Sequence, residues 1–243
     1  MIKKIKKAMI LKTIKKTKNM IKKNKYYNNH DFNKAYKIFK DIIDDKKNIE
    51  LLKNGNLKLN HKVKIYDLPS IITCKYACKA CYALKAERIY KNTRVMRLYH
   101  LLINNFSNIL FIYLINKELK KVKKNTILRI HSSGDFYNFK YLIAWLVIIL
   151  LNRHVMFYSY SKILNNFTID LINKIFKNFN IVKSLHKING IMYKNYGNHE
   201  HVQFLEDNLE DTYTCTYGSN NQLTCMGQCK KCLYCSNILF NEH

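Results

Sequence analysis

The sequence predicts an α/β fold built on parallel strands. Short β-rich runs, such as residues 61–66 (HKVKIY) and residues 155–160 (VMFYSY), alternate with longer runs whose apolar residues recur at helical spacing. Alternating strands and helices are typical of parallel βα units, which form a complete or partial barrel or an open sheet. The 243 residues are enough for one sizeable core. We therefore expect one α/β domain with additions at its ends.

Residues 1–28 form a basic head. Eleven lysines and no acidic residue lie between residues 3 and 25. The apolar residues of the head recur at loosely helical spacing: Ile2, Ile5, Met9 and Ile14. The head is therefore either a frayed amphipathic helix or a solvated, disordered arm, and we favour the arm.

The body of the chain, residues 29–205, alternates between predicted helices and strands. A helix over residues 31–52 leads into it. Strands are then expected at residues 61–66, 125–131, 155–160, 180–185 and 201–205, and helices at residues 82–103, 106–121, 138–151 and 167–179. The apolar stripe of residues 141–151 is expected to pack its helix on the sheet. A cysteine-rich tail, residues 206–243, completes the chain.

The charge balance bears on the partners of the protein. A formal charge of +27 is typical of proteins that contact phosphate-rich partners, because lysines replace condensed counterions on phosphates. The prevalence of Lys, Asn and Ile also indicates a nucleotide-composition bias, which would supply lysines without selection for binding. Both explanations stay open, so nucleic acid is a partner to be tested.

Hydropathy predicts a soluble protein with no membrane partner. The longest apolar run, residues 141–151, is well short of the roughly 20 residues of a membrane-spanning helix. The basic head also lacks the uninterrupted apolar core of a secretory signal. We expect a cytoplasmic protein, in a reducing compartment where cysteines ligate metals more often than they form disulfides.

The first cysteine group is Cys74, Cys78 and Cys81, with the spacing C-x3-C-x2-C between a predicted strand and a predicted helix. Three thiolates on one loop can hold three irons of a 4Fe-4S cluster and leave the fourth iron open to an external ligand. S-adenosylmethionine chemistry requires such an open iron. The alternative is a structural zinc site with a fourth ligand from elsewhere, such as His61 or His131.

Two resemblances follow from this loop and its neighbours. The loop resembles that of radical S-adenosylmethionine (radical SAM) enzymes, where it follows the first strand of a partial (β/α) barrel. More narrowly, CKYACKACYALKAER, LRIHSSGDFYNFKYLIAW and VMFYSYSK resemble the phage and plasmid family called gene product 88, over about residues 68–235. One departure is Ala80, because radical SAM enzymes usually place an aromatic residue there. An aromatic residue, Tyr82, follows the third cysteine instead.

The resemblance to radical SAM enzymes implies a fold and a function. The fold is a partial (β/α) barrel of the radical SAM type with a cysteine-rich C-terminal extension. The function is that of an enzyme that reductively cleaves S-adenosylmethionine and starts radical chemistry on an unidentified substrate, nucleic acid or protein. A reducing partner of the flavodoxin or ferredoxin type is implied as well.

Ser133, Gly134 and Asp135 follow the predicted strand at residues 125–131. Binding groups of parallel α/β barrels lie at the carboxyl ends of the strands. A glycine lets the backbone approach a ligand closely, and a carboxylate can accept from an ammonium group. By resemblance this is the place where radical SAM enzymes hold the methionyl amine of the cofactor.

Ser159 and Lys162 lie at the end of the next predicted strand. By resemblance they would contact the ribose or the carboxylate of S-adenosylmethionine. His131 and Arg129 are weaker candidates. A strand-end histidine is more often a hydrogen-bonded core residue than a ligand, and Arg129 lies inside the strand, from where it could reach an anionic group within the barrel. No catalytic residue is assigned.

The second cysteine group lies in the tail and comprises Cys215, Cys225, Cys229, Cys232 and Cys235. Five thiols so close together indicate metal ligation. Four thiolates suit either zinc or a second iron-sulfur cluster, and the short C-x2-C-x2-C run favours iron-sulfur. The competing function from another class is a non-catalytic zinc-dependent nucleic-acid-binding protein, in which both cysteine groups are structural.

Overall fold

The computed structural model describes residues 2–22, 24–55, 63–74, 81–124, 126–188, 191–193, 212–215 and 237–240. Its helices are α1 (Ile2–Ile21), α2 (Asn29–Ile43), α3 (Ser70–Thr73), α4 (Tyr82–Ile89), α5 (Lys91–Phe106), α6 (Asn108–Leu119), α7 (Phe139–Leu151) and α8 (Asn166–Ile175). Its strands are β1 (Lys53–Asn54), β2 (Val63–Tyr66), β3 (Ile127–Ile130), β4 (Met156–Ser161), β5 (Phe179–Ile188), β6 (Ile191–Tyr193), β7 (Thr212–Cys215) and β8 (Asn237–Phe240). The predicted α/β class is confirmed.

The strands form one sheet in the order β1-β2-β3-β4-β5-β8-β7, with β6 paired to β5. Strands β2 to β5 are parallel and follow one another in chain order. Their register pairs Tyr66 with Ile130, and Ile130 with Ser159. The carboxyl ends of β2, β3 and β4 therefore lie side by side at one edge of the sheet, which we call the carboxyl edge.

One face of the sheet carries the helices. Alternate strand residues point to this face, where they join a single core with buried residues of α2, α5, α6, α7 and α8. The largest side chains at its centre are fully buried aromatic residues: Tyr66, Phe111, Tyr141 and Trp145. Their rings meet edge-on or tilted, with centroids 5.3–6.4 Å apart. Full burial of each stabilises the fold by roughly 1.5–3 kcal/mol.

The opposite face of the sheet holds a second, smaller cluster. It comprises the buried residues Val63, Ile65 and Tyr158, with Ile127 and Tyr160 packed against them. The guanidinium of Arg129 also lies on this face, 5.1 Å from the centroid of the Tyr160 ring. Among the described residues this face is therefore mainly apolar and aromatic, with the guanidinium of Arg129 in the middle of β3 and Lys53, the register partner of Ile65, on β1.

Several helices begin directly after an Asn or Ser residue that caps them. A side-chain oxygen of the residue before the helix accepts a hydrogen bond from a backbone N–H of the first turn, which would otherwise have no partner. These caps are Asn28 for α2, Ser107 for α6, Asn138 for α7 and Asn165 for α8. None of the helices within the described ranges has the length and apolar character needed to cross a bilayer.

The basic head is a helix, and the favoured prediction of a disordered arm was wrong. Helix α1 packs on α5, with Thr13 and Thr17 buried between them. The amide of Asn105 donates to Thr17 Oγ1 at 3.0 Å. The buried side of α1 thus combines these small polar residues with Ile21, which belongs to the core, and with Ile14 and Met20, which pack against it.

Two predicted boundaries were also wrong. The single helix expected over residues 82–103 is split into α4 and α5, because Tyr90 between them has an extended backbone. Arg94 stabilises the break by donating to the carbonyl of Glu87 at 2.5 Å. The helix expected to reach residue 52 ends at Ile43. The strand predicted at residues 201–205 lies outside the described residues.

Candidate functional site

The cysteine loop begins and ends at the carboxyl edge. The short helix α3 lies between β2 and Cys74, and Cys81 directly precedes α4. Both cysteines are half-buried. Cys78 lies within residues 75–80, outside the described residues. The structure therefore fixes the two ends of the loop that carries the predicted ligands.

Glu87 joins the two sides of the cysteine loop. Its fully buried carboxylate accepts from the backbone N–H of Ser70 at 2.7 Å and from Ser70 Oγ at 2.7 Å. The same carboxylate accepts from Arg97 Nη1 at 2.8 Å, and Arg97 also donates to the carbonyl of Ala83 at 3.1 Å. We call these contacts the Glu87 anchor. Because they lie outside residues 74–81, they hold the loop ends without help from the loop.

Asp67 joins the ends of β2 and β3. One oxygen of this buried carboxylate accepts from the backbone N–H and hydroxyl of Ser132, at 2.8 and 2.6 Å, and from the N–H of Ser133 at 3.0 Å. The other oxygen lies 2.6 Å from Lys53 Nζ and 3.6 Å from Arg97 Nη2. Burial alone would raise the pKa of Asp67, but Arg97 and Lys53 outweigh burial and hold this pKa well below its usual range.

Asp135 joins the ends of β3 and β4 in the same way. Its carboxylate accepts from Ser161 Oγ at 2.8 Å, from the N–H of Lys162 at 2.8 Å and from the N–H of Phe136 at 2.7 Å. Burial raises the pKa of Asp135, although these donors oppose the rise. Two buried carboxylates therefore connect neighbouring strand ends. Asp67 connects β2 to β3, and Asp135 connects β3 to β4.

The predicted cofactor residues take part in this network. Ser133 Oγ donates to the carbonyl of Leu68 at 2.9 Å, and Ser159 Oγ donates to the carbonyl of Ile130 at 2.8 Å. The structure thus brings the side chains of Ser133, Asp135 and Ser159 to one edge, where each bonds to protein groups. Whether they also contact a cofactor stays a prediction.

Two carboxylates of this edge were missed by the sequence reasoning, Asp67 and Glu87. Asp67 directly follows a β-rich run, the same placement that singled out the polar residues after β3. The criterion applied there would also have selected Asp67. Glu87 had no such signal, because its partner Arg97 lies on a different helix and only the turn at Tyr90 brings them together.

His131 is a buried residue of the core. It adopts a left-handed backbone conformation, with φ of 66°, and its Nε2 lies 2.8 Å from the hydroxyl of Tyr141. Burial lowers the pKa of His131 to about 3, so the ring is neutral at pH 7. The other histidine suggested as a zinc ligand, His61, lies outside the described residues.

The structure does not test the predicted metal sites. No group of three or more His, Cys, Asp or Glu side chains suited to a metal ion occurs among the described residues, which include Cys74 and Cys81 but not Cys78. In the tail, Cys215 lies in β7, which pairs with β8. The other cysteines of the tail group, Cys225 to Cys235, lie outside the described residues.

A comparison with known families decides the membership of the chain. The family model of gene product 88 matches residues 14–238. The chain belongs to the gene product 88 family. No protein with a curated description and no solved structure matches it significantly. The narrower resemblance is thus confirmed, while the relationship to radical SAM enzymes stays a prediction.

In this gene product 88 protein, Gly134 lies against the segment that leads into the cysteine loop. Its φ of +90° belongs to the region that favours glycine. A Cβ at this position would lie 2.6 Å from Thr73 Oγ1 and 2.7 Å from Leu68 Cβ. The close approach that this glycine permits is therefore to the residues just before Cys74.

We expect Gly134→Ala to lower the free energy of unfolding by about 2–5 kcal/mol, because backbone strain and the clash each cost roughly 1–3 kcal/mol. Urea unfolding of the variant measures the loss. Adding Thr73→Ala should recover part of it, since the nearest clashing atom is then absent. A Gly134→Ala variant as stable as the parent protein would show that no such contact limits this position.

Proposed function

We propose that this gene product 88 protein is a radical SAM enzyme in which Cys74, Cys78 and Cys81 hold a 4Fe-4S cluster. One observation carries the proposal. The two ends of the cysteine loop, Cys74 and Cys81, lie between the first strand of a consecutive parallel sheet and helix α4. In α/β enzymes the reacting groups collect at the carboxyl ends of such strands.

The strand order supports a partial barrel. In doubly wound sheets the strand order reverses at a switch point and helices cover both faces. Here β2 to β5 keep chain order, and the core that contains the helices lies on one face. Those two features are typical of a barrel wall. We therefore propose that the face with Tyr158, Tyr160 and Arg129 is the inside of a partial (β/α) barrel.

The residues at the edge fit an iron-sulfur cluster. Thiolates are the preferred ligands of such clusters. Cys74 and Cys81 are both half-buried, and the Glu87 anchor holds the two ends of the loop that carries them. When bound, the cluster would supply the electron that cleaves S-adenosylmethionine and so generates the radical.

Other residues of the edge are proposed to position the cofactor. Lys162 is half-buried at the end of β4 and would pair with the carboxylate of S-adenosylmethionine. Ser133, Gly134, Asp135 and Ser159 would shape the surface on which it lies, since their network fixes the loops after β3 and β4. The tail cysteines would hold a second iron-sulfur cluster or zinc.

The test is made on protein purified without oxygen and reconstituted with iron and sulfide. Metal content and electron paramagnetic resonance are recorded with and without S-adenosylmethionine, and 5'-deoxyadenosine is assayed after reduction. A cluster signal perturbed by S-adenosylmethionine, with deoxyadenosine formed, would support the proposal. Tightly held zinc without an iron signal would overturn it and favour the zinc-dependent nucleic-acid-binding protein.

A further inference from the structure

The exposed side of α1 carries a row of cations. Six described lysine side chains of α1 and of the turn just after it are exposed. One of them, Lys18, lies against an aromatic ring, and we call the other five the lysine face: Lys7, Lys12, Lys15, Lys16 and Lys22. From the first to the last, the row spans roughly 22 Å at 1.5 Å per residue. Lys140, exposed in the first turn of α7, lies close enough to Lys16 to interact with it electrostatically.

These charges have no acidic partner among the described residues. The ion pair of α1 is made by Lys6, which contacts Asp44 at 2.8 Å near the start of the helix. Lys18 lies 5.1 Å from the centroid of the Phe32 ring. Burial, Lys140 and Lys12 together lower the pKa of Lys16, so like charges repel one another here. An anion bound between them would relieve that repulsion.

The other side of α1 is fixed to the protein. Thr13, Thr17 and Ile21 are buried, and Asn105 Nδ2 donates to Thr17 Oγ1. A helix that binds a membrane surface inserts its apolar side into the lipid. Here Ile21 is buried in the core, Ile10, Ile14 and Met20 are partly covered, and only Met9 and Leu11 among the large apolar side chains described in α1 are exposed. The lysine face therefore suits an anionic polymer better than a lipid surface.

The segment that follows α1 contacts the Glu87 anchor. Asn24, just after α1, donates to the Glu87 carboxylate at 3.4 Å. Next to it, the ring of Tyr26 lies 5.5 Å from Lys25 Nζ and 5.6 Å from the guanidinium carbon of Arg88 on α4. A half-buried aromatic ring beside exposed cations is a pattern found where proteins stack on bases of single strands.

We propose that the lysine face, with Lys140 and Tyr26, binds the phosphate backbone of a nucleic acid and leads it along α1 toward the cysteine loop. Binding would follow charge and spacing and not base sequence, because lysines act on phosphates as point charges. That the bound strand is the substrate rests on the function proposed above. The proposal of the binding surface itself does not depend on that function.

The test measures fluorescence anisotropy of labelled single-stranded DNA, single-stranded RNA and duplex DNA, without S-adenosylmethionine or reductant. The variant replaces Lys12, Lys16 and Lys140 by Gln. Loss of three phosphate contacts should weaken binding roughly 100-fold at 0.1 M salt and reduce the slope of log K against log salt by about 2–3. The fold should persist, because the change removes mutual repulsion.

The matched control replaces three exposed lysines at the opposite edge of the sheet, Lys120, Lys121 and Lys123, by Gln. It makes the same change in net charge, and we expect less than a threefold effect on affinity. Equal losses in both variants would overturn the proposal, because diffuse charge alone would then explain binding. Binding to anionic vesicles without binding to nucleic acid would overturn it as well.

The two proposals can fail separately. Nucleic-acid binding is measured without the cleavage reaction, so absence of deoxyadenosine would leave a positive binding result standing. Loss of specific binding to the lysine face would in turn leave the iron and resonance measurements unaffected.

Discussion

Replacing Cys78 by alanine is expected to abolish cleavage of S-adenosylmethionine while the fold persists. Two thiolates cannot hold a cluster that requires three, and even residues that only orient metal ligands typically contribute 10–100-fold. We therefore expect deoxyadenosine formation to fall by more than about 100-fold, together with loss of iron. Chromatography of the reaction products and iron analysis measure these two effects.

The fold should persist because the Glu87 anchor lies outside the loop. Ser70 and Glu87 bond to each other on either side of residues 74–81, and Arg97 holds Glu87 from α5. The free energy of unfolding of the Cys78→Ala variant, measured with urea, should thus differ from that of the parent protein by less than about 1 kcal/mol. Lys79→Ala, a change in the same loop that removes no thiol, is the matched control. Unfolding of Cys78→Ala with release of zinc would instead identify a structural zinc site.

Replacing Asp67 by alanine is expected to lower the free energy of unfolding by about 3–5 kcal/mol, a large share of the 5–15 kcal/mol typical of a domain. The change leaves two backbone N–H groups after β3 without their acceptor. It also removes one of the two carboxylates beside Arg97, whose guanidinium is buried. Urea unfolding at pH 7 measures the loss.

Two control variants separate the effect of the charge of Asp67 from the effect of its size and from the effect of removing any surface carboxylate. Asp67→Asn keeps the size but removes the charge, so it should recover only part of the loss. Asp41→Ala removes a carboxylate that lies 3.7 Å from Lys47, whose side chain is 64 % exposed, and should change stability by at most about 1 kcal/mol. Equal effects of Asp67→Ala and Asp41→Ala would contradict a stabilising role for Asp67.

The effect of Asp67 also depends on pH in a defined direction. Because the pKa of Asp67 is lower in the folded protein than its ordinary value of 3.8, its charged form stabilises the fold above that value. This contribution is lost as the pH falls from 3.8 through the lower folded pKa. The difference in stability between the parent protein and Asp67→Asn should therefore be largest at neutral pH and narrow in acid.

Much of the fold was predictable from local patterns. β-rich runs and helical spacing identified β2, β3, β4 and β5, and the caps before α2, α6, α7 and α8 lie where the sequence has Asn or Ser. Each of these signals depends on residues that lie close together in the sequence. The break at Tyr90 was not predictable in this way, since Arg94 reaches back to carbonyls that a continuous helix would have used internally.

The sequence by itself determined the α/β class, the family and the spacing of the cysteines, because each is a property of consecutive residues. Only the tertiary structure decided which polar groups meet. Asp67 and Ser132 are 65 positions apart, and they touch because β2 and β3 pair in parallel register. The attachment of α1 and the Glu87 anchor arise in the same way, since a buried polar group must bond to whatever partner the packing of distant segments brings to it.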